Sequence, residues 1–241
     1  MNVVGAFLSR VSRLAGLPEP AAPAIPAVPP SHAADRGCLP SSITGMHGRI
    51  IVQAVDVSPS MNEADMGTPS APCSRLEAAK SAVMQFTEAA RFGSEPIQLG
   101  LVAFAERATT VMPLTERDTI LKMAQALASL KTHPCTNLEA ALLEAGKLLT
   151  PFAGHTGLEV HVLTDGLANN GGDPLKAATS LKRMGCTLSF VGIGGAPSEV
   201  NEKLLMAAAS VTPDGRPFYR FIKDRDQLER HYNEMGNGIT R

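Results

Sequence analysis

The sequence predicts an α/β fold: a doubly wound, mainly parallel sheet with one short antiparallel edge strand and helices on both faces. Short, unbroken apolar runs of strand length recur along the chain. Longer stretches with apolar residues at helical spacing separate them. Strands that are apolar throughout, rather than alternating, are covered on both faces, and helices between them supply the covering layers of a parallel sheet.

The elements follow in order. The run IIVQAV at residues 50–55 is the first buried strand, and residues 74–92 form a helix with Leu76, Ala79, Val83 and Phe86 facing inward. Residues 97–104 make the next strand, and 109–112 a short edge strand hairpinned to it. Helical patterns cover 117–130 and 137–149. A strand at 158–164, a helix at 174–184 and a strand at 187–193 come next. A helix at 199–209, a strand at 218–221 and a helix at 225–235 close the chain. In such folds ligands gather at the carboxyl ends of the strands, where strand order reverses.

This pattern occupies residues 45–241, the length of one substantial domain. Ahead of it, residues 1–17 place Val4, Phe7, Leu8, Val11 and Leu14 on one face of an amphipathic helix. Residues 18–44 are rich in proline and alanine and read as an extended linker. The helix is suited to docking on a partner protein, an assembly or a membrane surface; a frayed terminus without a role is the competing reading. It lacks the basic stretch that opens a secretory signal, and no apolar run reaches the roughly 20 residues that span a bilayer.

Hydrophobic residues make up 44% of the chain and charged residues 19%, which suits a packed core. With 22 Lys and Arg against 23 Asp and Glu, the net charge of −1 offers no field to draw in nucleic acid. The four cysteines, Cys38, Cys73, Cys135 and Cys186, are scattered without a CxxC pair, the pattern of free thiols in a reducing compartment. Cys73 and Cys135 flank loops at one edge of the sheet, but are expected to stay unpaired. A cytoplasmic location is expected.

The chemistry lies at the strand ends. The first strand runs into Asp56-Val57-Ser58-Pro59-Ser60, where Asp56, Ser58 and Ser60 alternate and converge on one point. The strand at 158–164 ends in Thr164-Asp165-Gly166, and the run Cys135-Thr136-Asn137 brings Thr136 in at the start of a helix. Two carboxylates and three hydroxyls suit a hard cation that keeps some water, Mg²⁺ first and Mn²⁺ or Ca²⁺ as alternatives. The same residues also suit ordinary helix caps: Thr136 followed three residues later by Glu139 fits a capping box. The acidic loop at 62–72 beside the site is long for its place, and Glu63 and Asp65 are expected either in solvent or reaching the metal as a plug.

DVSPSM, CTNLEAAL and LTDG, in this order and at successive strand ends, resemble the metal-ion-dependent adhesion site of von Willebrand factor A domains, a Rossmann-like family. The likeness runs from about residue 50 to the C-terminus, with VGIGG after the fifth strand. It implies that Ser58 and Ser60 bind the metal directly, Thr136 directly or through water, and Asp56 and Asp165 in either way according to state. Pro59 stands where the family often has glycine, which stiffens the turn. Three neutral hydroxyl ligands leave the ion's charge under-compensated, so an Asp or Glu of a protein partner completes its shell. The expected function is metal-dependent binding of such a partner by an intracellular adaptor; a secreted or surface adhesin is the alternative within the family. An enzyme is the remote one, whether phosphotransferase or hydrolase. Ser58 stands where a haloacid-dehalogenase-like enzyme needs a second carboxylate, and neither G-x-S-x-G nor a phosphate-binding G-x-x-x-x-G-K-[ST] loop occurs.

Overall fold

The structure is a computed structural model that describes residues 48–93, 95–166 and 171–238. The helix expected at 1–17, the linker at 18–44 and Cys38 lie outside the described residues. Six strands, β1 (Arg49–Asp56), β2 (Ile97–Phe104), β3 (Ala108–Thr115), β4 (Leu158–Thr164), β5 (Thr187–Ile193) and β6 (Tyr219–Ile222), form one sheet in the order β3-β2-β1-β4-β5-β6. All neighbours are parallel except β2 and β3. The helices are α1 (Arg75–Arg91), α2 (Thr119–Ser129), α3 (Leu138–Leu149), α4 (Pro174–Arg183), α5 (Glu202–Ala208) and α6 (Arg225–Gly236).

All eight residues of β1 are buried, as a central strand requires, including the polar Arg49, Gln53 and Asp56 that flank and interrupt its apolar run. Side chains alternate across the sheet, so Val52 and Ala54 join Val160, Val162, Leu188 and Phe190 in a core under α3, α4 and α5. Ile51, Gln53 and Val55 face the other side, where α1, α2 and α6 pack. The chain leaves β1 toward β2 and β3, then crosses to β4 on the opposite side, so strand order reverses between β1 and β4. The carboxyl ends of those two strands carry Asp56 and Thr164-Asp165.

Three elements differ from the sequence reading by more than one residue at a boundary, each for a local reason. The edge strand β3 is no stub but as long as β1 and β2, with a bulge in its pairing and an exposed Pro113 in its second half. α2 starts at Thr119 because Asp118 takes a left-handed conformation, φ 53°. α5 starts at Glu202: Pro197–Glu199 makes a tight 3-10 turn, and Asn201 caps the helix by accepting from the Leu204 amide.

The amino-terminal edge of the sheet is closed by a buried polar cluster. Arg49 donates from Nε and Nη2 to the two oxygens of Glu159, each at 2.9 Å, and from Nη1 to the Gly236 carbonyl at the end of α6 at 3.1 Å. Its guanidinium lies 5.6 Å above the Phe86 ring of α1. His161 bridges Glu159 and Gln53 at 3.1 and 3.2 Å and meets Phe86 edge-on. His161 is buried in the core of this cluster.

Candidate metal centre

All five residues singled out in the sequence come to the β1–β4 end of the sheet, and four of them, Asp56, Ser58, Thr136 and Asp165, are buried. Ser58 Oγ lies 3.1 Å from Ser60 Oγ and 3.3 Å from Asp165 Oδ1, and Ser60 Oγ donates to that same oxygen at 2.9 Å. Oxygen ligands at right angles around a Mg²⁺, each about 2.1 Å from it, sit about 3 Å apart. The donor set is oxygen only and correctly spaced, so these residues fit a small hard cation. Thr136 belongs to the same cluster: a side chain at Gly166 would begin 3.0 Å from Thr136 Oγ1 and 3.6 Å from Asp56 Oδ2. A side chain at Gly166 would therefore push Thr136 aside by a few tenths of an ångström.

Helix capping does not account for these residues. Ser58 precedes the tight turn Pro59–Asn62 but makes no cap bond with its side chain. The cap of α3 is Asn137, which accepts from the Ala140 amide, while Glu139 accepts from the Gly172 amide instead of folding back into a capping box. The Ser58 hydroxyl therefore stays within the cluster, and Thr136 is not the cap of α3.

Asp56 plays a different part from Asp165. Its Oδ1 accepts from the Ser58 amide at 2.8 Å and its Oδ2 from the Thr164 hydroxyl at 2.5 Å. Oδ1 thus braces the loop that presents Ser58 and Ser60, and Oδ2 ties Asp56 to the end of β4. Burial pushes the Asp56 carboxyl up from 3.8 to about 7, against the hydrogen bonds from Thr164 and Ser58 that favour its ionised form. Burial raises Asp165 as well, although the bonds from Arg75 and Ser60 oppose it.

A model of the von Willebrand factor type A domain matches residues 51–233. The chain belongs to this family. Solved structures share the fold. The BatB protein of Bacteroides thetaiotaomicron is 22% identical with a TM-score of 0.61 over 80% of this chain and 100% of that one. A von Willebrand factor type A protein of Catenulispora acidiphila is 20% identical with a TM-score of 0.62, over 80% of this chain and 43% of that one. Proximal thread matrix protein 1 of the mussel byssus, in a form described as having a zinc-occupied MIDAS motif, is 18% identical with a TM-score of 0.62. That match covers 80% of this chain and 48% of that one. No curated protein matches the sequence. Domains of this family commonly serve as protein-interaction or adhesion modules.

The von Willebrand factor A domain of this chain carries a charged feature that the sequence reading missed. Arg75, the first residue of α1, is buried and donates from Nη1 to Asp165 Oδ2 at 3.0 Å. Its Nε and Nη2 grip Asp65, and Nη2 also meets Glu63 at 2.9 Å and Glu199 at 2.5 Å. The acids of the 62–72 loop do not plug the metal site; Glu63 and Asp65 stay on the solvent-exposed surface, with side-chain exposures of 59% and 30%, and from there hold a guanidinium. Glu63, Asp65 and Glu199 converge closely enough to suggest a cation site of their own, but the Arg75 guanidinium already bonds to all three. The signal for Arg75 was its position: a helix amino terminus disfavours a cation, so an arginine there calls for anionic partners. Thr164, which pins Asp56, was also missed. As expected, Cys73 and Cys135 are unpaired, and Cys186 is a free thiol too.

Proposed function

We propose that this domain holds Mg²⁺ through Ser58, Ser60, Thr136, Asp56 and Asp165 and uses it to capture an Asp or Glu side chain of a protein partner. The reading is carried by the convergence of the Ser58 and Ser60 hydroxyls with one oxygen of Asp165 at cation-ligand spacing. When bound, the ion supplies an electrophilic position that accepts a carboxylate. The chain supplies the rest. Asp56 holds the serine loop in place through the Ser58 amide, and Thr164 keeps Asp56 aimed. Ser58, Ser60 and Thr136 contribute oxygen without charge, so the set does not cancel a divalent charge, and an anionic partner is favoured in this partly dehydrated pocket.

The zinc-occupied site of the mussel protein supports a divalent ion at the corresponding motif; the preference for Mg²⁺ over Mn²⁺, Ca²⁺ or zinc rests on the all-oxygen donors. We place the protein in the cytoplasm as an adaptor, on the strength of its sparse, unpaired cysteines. The amino-terminal helix then serves as the tether to a second partner or assembly. An adhesin outside the cell is the second reading, favoured by the pilus adhesin SpaC of Lactobacillus rhamnosus GG, which shares the fold at 17% identity, a TM-score of 0.63, and coverage of 81% of this chain and 31% of that one. Enzymatic turnover is not part of the proposal.

The test is a pull-down from the native cell with the full chain, once in Mg²⁺ and once in EDTA, beside Ser58→Ala. A partner retained only in Mg²⁺ and lost with Ser58→Ala is the expected result. Equal retention in EDTA would refute the metal-dependent reading, and the identity of the captured protein, cytoplasmic or surface-exposed, decides between adaptor and adhesin.

A further inference from the structure

We infer that Arg75 sets the strength with which the metal centre holds its cation, acting as an internal competitor for Asp165. The inference rests on the proposed metal site and concerns how it is tuned. Asp165 divides its carboxylate between two customers: Oδ1 faces the Ser58 and Ser60 hydroxyls, and Oδ2 accepts from Arg75 Nη1 at 3.0 Å. Both members of that ion pair are buried, with side-chain exposures of 3% and 0%, so solvent screens the pair little. The guanidinium both cancels part of the charge that Asp165 would offer a cation and repels a cation at the serines. A cation there is held more loosely, and more of its charge is left for a partner's carboxylate.

Arg75 is itself tuned from outside. Asp65, Glu63 and Glu199 draw the guanidinium away from Asp165, and they stand on two different loops, after β1 and after β5. Burial works to lower the Arg75 pKa, but the bonds from Asp65 and Asp165 outweigh it and raise it, so the charge is permanent. Removing an outer carboxylate therefore strengthens the grip of Arg75 on Asp165, whereas removing Arg75 frees Asp165. The two kinds of substitution act on the cation in opposite directions. An arginine that merely braced the loops would not do this, because loosening the loops from either side weakens the site.

The experiment is isothermal titration of MgCl₂ into the full chain, with thermal unfolding as a check on folding. Arg75→Met is expected to tighten Mg²⁺ at least tenfold. Asp65→Asn and Glu199→Gln are expected to weaken it three- to tenfold. The double variant Arg75→Met with Ser58→Ala is expected to lose the gain, which shows that the tighter ion sits at the serines and not among the freed acids. Tight binding that survives in the double variant overturns the inference, as does Arg75→Met binding Mg²⁺ no better than the unaltered protein. Should Arg75→Met not fold, the outer variants decide alone: folded Asp65→Asn and Glu199→Gln proteins with unchanged Mg²⁺ affinity overturn it. If Ser58→Ala alone binds Mg²⁺ as the unaltered chain does, the metal-site reading fails instead.

Discussion

Each end of the sheet buries an arginine, and the two are balanced differently. At the amino-terminal edge Arg49 is matched by a single carboxylate, Glu159, in a two-pronged contact, with the Gly236 carbonyl and the Phe86 face taking up the rest of the guanidinium. Its partners stand on strand, helix and helix end. At the carboxyl edge Arg75 is shared among Asp165, Asp65, Glu63 and Glu199, all from loops. Asp56 adds a further carboxylate beside it, so the site end carries five acidic groups against one buried guanidinium. The first cluster is a finished piece of core, whereas the second is short of positive charge.

The largest effect separating the two is stability. Arg49→Met leaves Glu159 buried without its main partner and is expected to cost about 3–5 kcal/mol in urea unfolding. Asp165→Ala relieves an anionic excess and is expected to cost clearly less. If both cost the same, the contrast between a closed and an open cluster is lost.

Next comes metal removal. At about one hundred times its dissociation constant, Mg²⁺ is expected to stabilise the protein by about 2.7 kcal/mol, or about 5–10 °C in Tm for a domain of this size. Ser58→Ala should abolish that shift and Arg49→Met should leave it intact, as read by thermal unfolding with and without EDTA. A shift that persists in Ser58→Ala would mean the ion binds elsewhere.

Acid sharpens the comparison further. Burial pushes the Glu159 carboxyl up, but the bonds from Arg49 and His161 outweigh it and hold the group well below its ordinary 4.5. A carboxyl lowered in the folded state contributes its full stability above the unfolded value, and that contribution drains away as pH falls below about 4.5. The unaltered protein should therefore lose stability steeply below that pH, and Glu159→Gln less steeply, in denaturant titrations across pH 3 to 6. Asp56 has the opposite sign. Its folded value of about 7 lies above 3.8, so in metal-free protein its ionisation costs stability as pH rises from about 4 to 7.

The smallest effect is at Tyr232 of α6, whose hydroxyl is fully buried with no partner among the described residues. Tyr232→Phe should be neutral or stabilising by up to about 1 kcal/mol, because it removes a hydroxyl whose desolvation no hydrogen bond offsets.

The two ends also differ in how far the sequence revealed them. Strands β1, β4 and β5 were legible because burial on both faces leaves a mostly apolar run, such as Val160 to Leu163 with His161 as its one polar residue. Asp56, Ser58, Ser60, Thr136 and Asp165 were legible because each sits just past a strand or just before a helix, where position in the chain fixes position in space. Arg75 was not, since its partners are 10, 90 and 124 residues away on other loops. The start of α5 was misplaced because Glu199 looks like a first-turn acid, while in the structure it bonds to Arg75. The Arg49–Glu159 pair, 110 residues apart, left no local signal either.

The margins of the sheet bear on how the protein behaves when crowded. A long, flat outer strand with open amides and carbonyls is a template on which a second chain adds its own strand, the first step toward fibrils. Here one margin is interrupted by a bulge and by Pro113, which has no amide hydrogen to donate, and the other is only the four residues of β6. Among the described residues, neither margin offers a long continuous ladder onto which a second chain could add a strand.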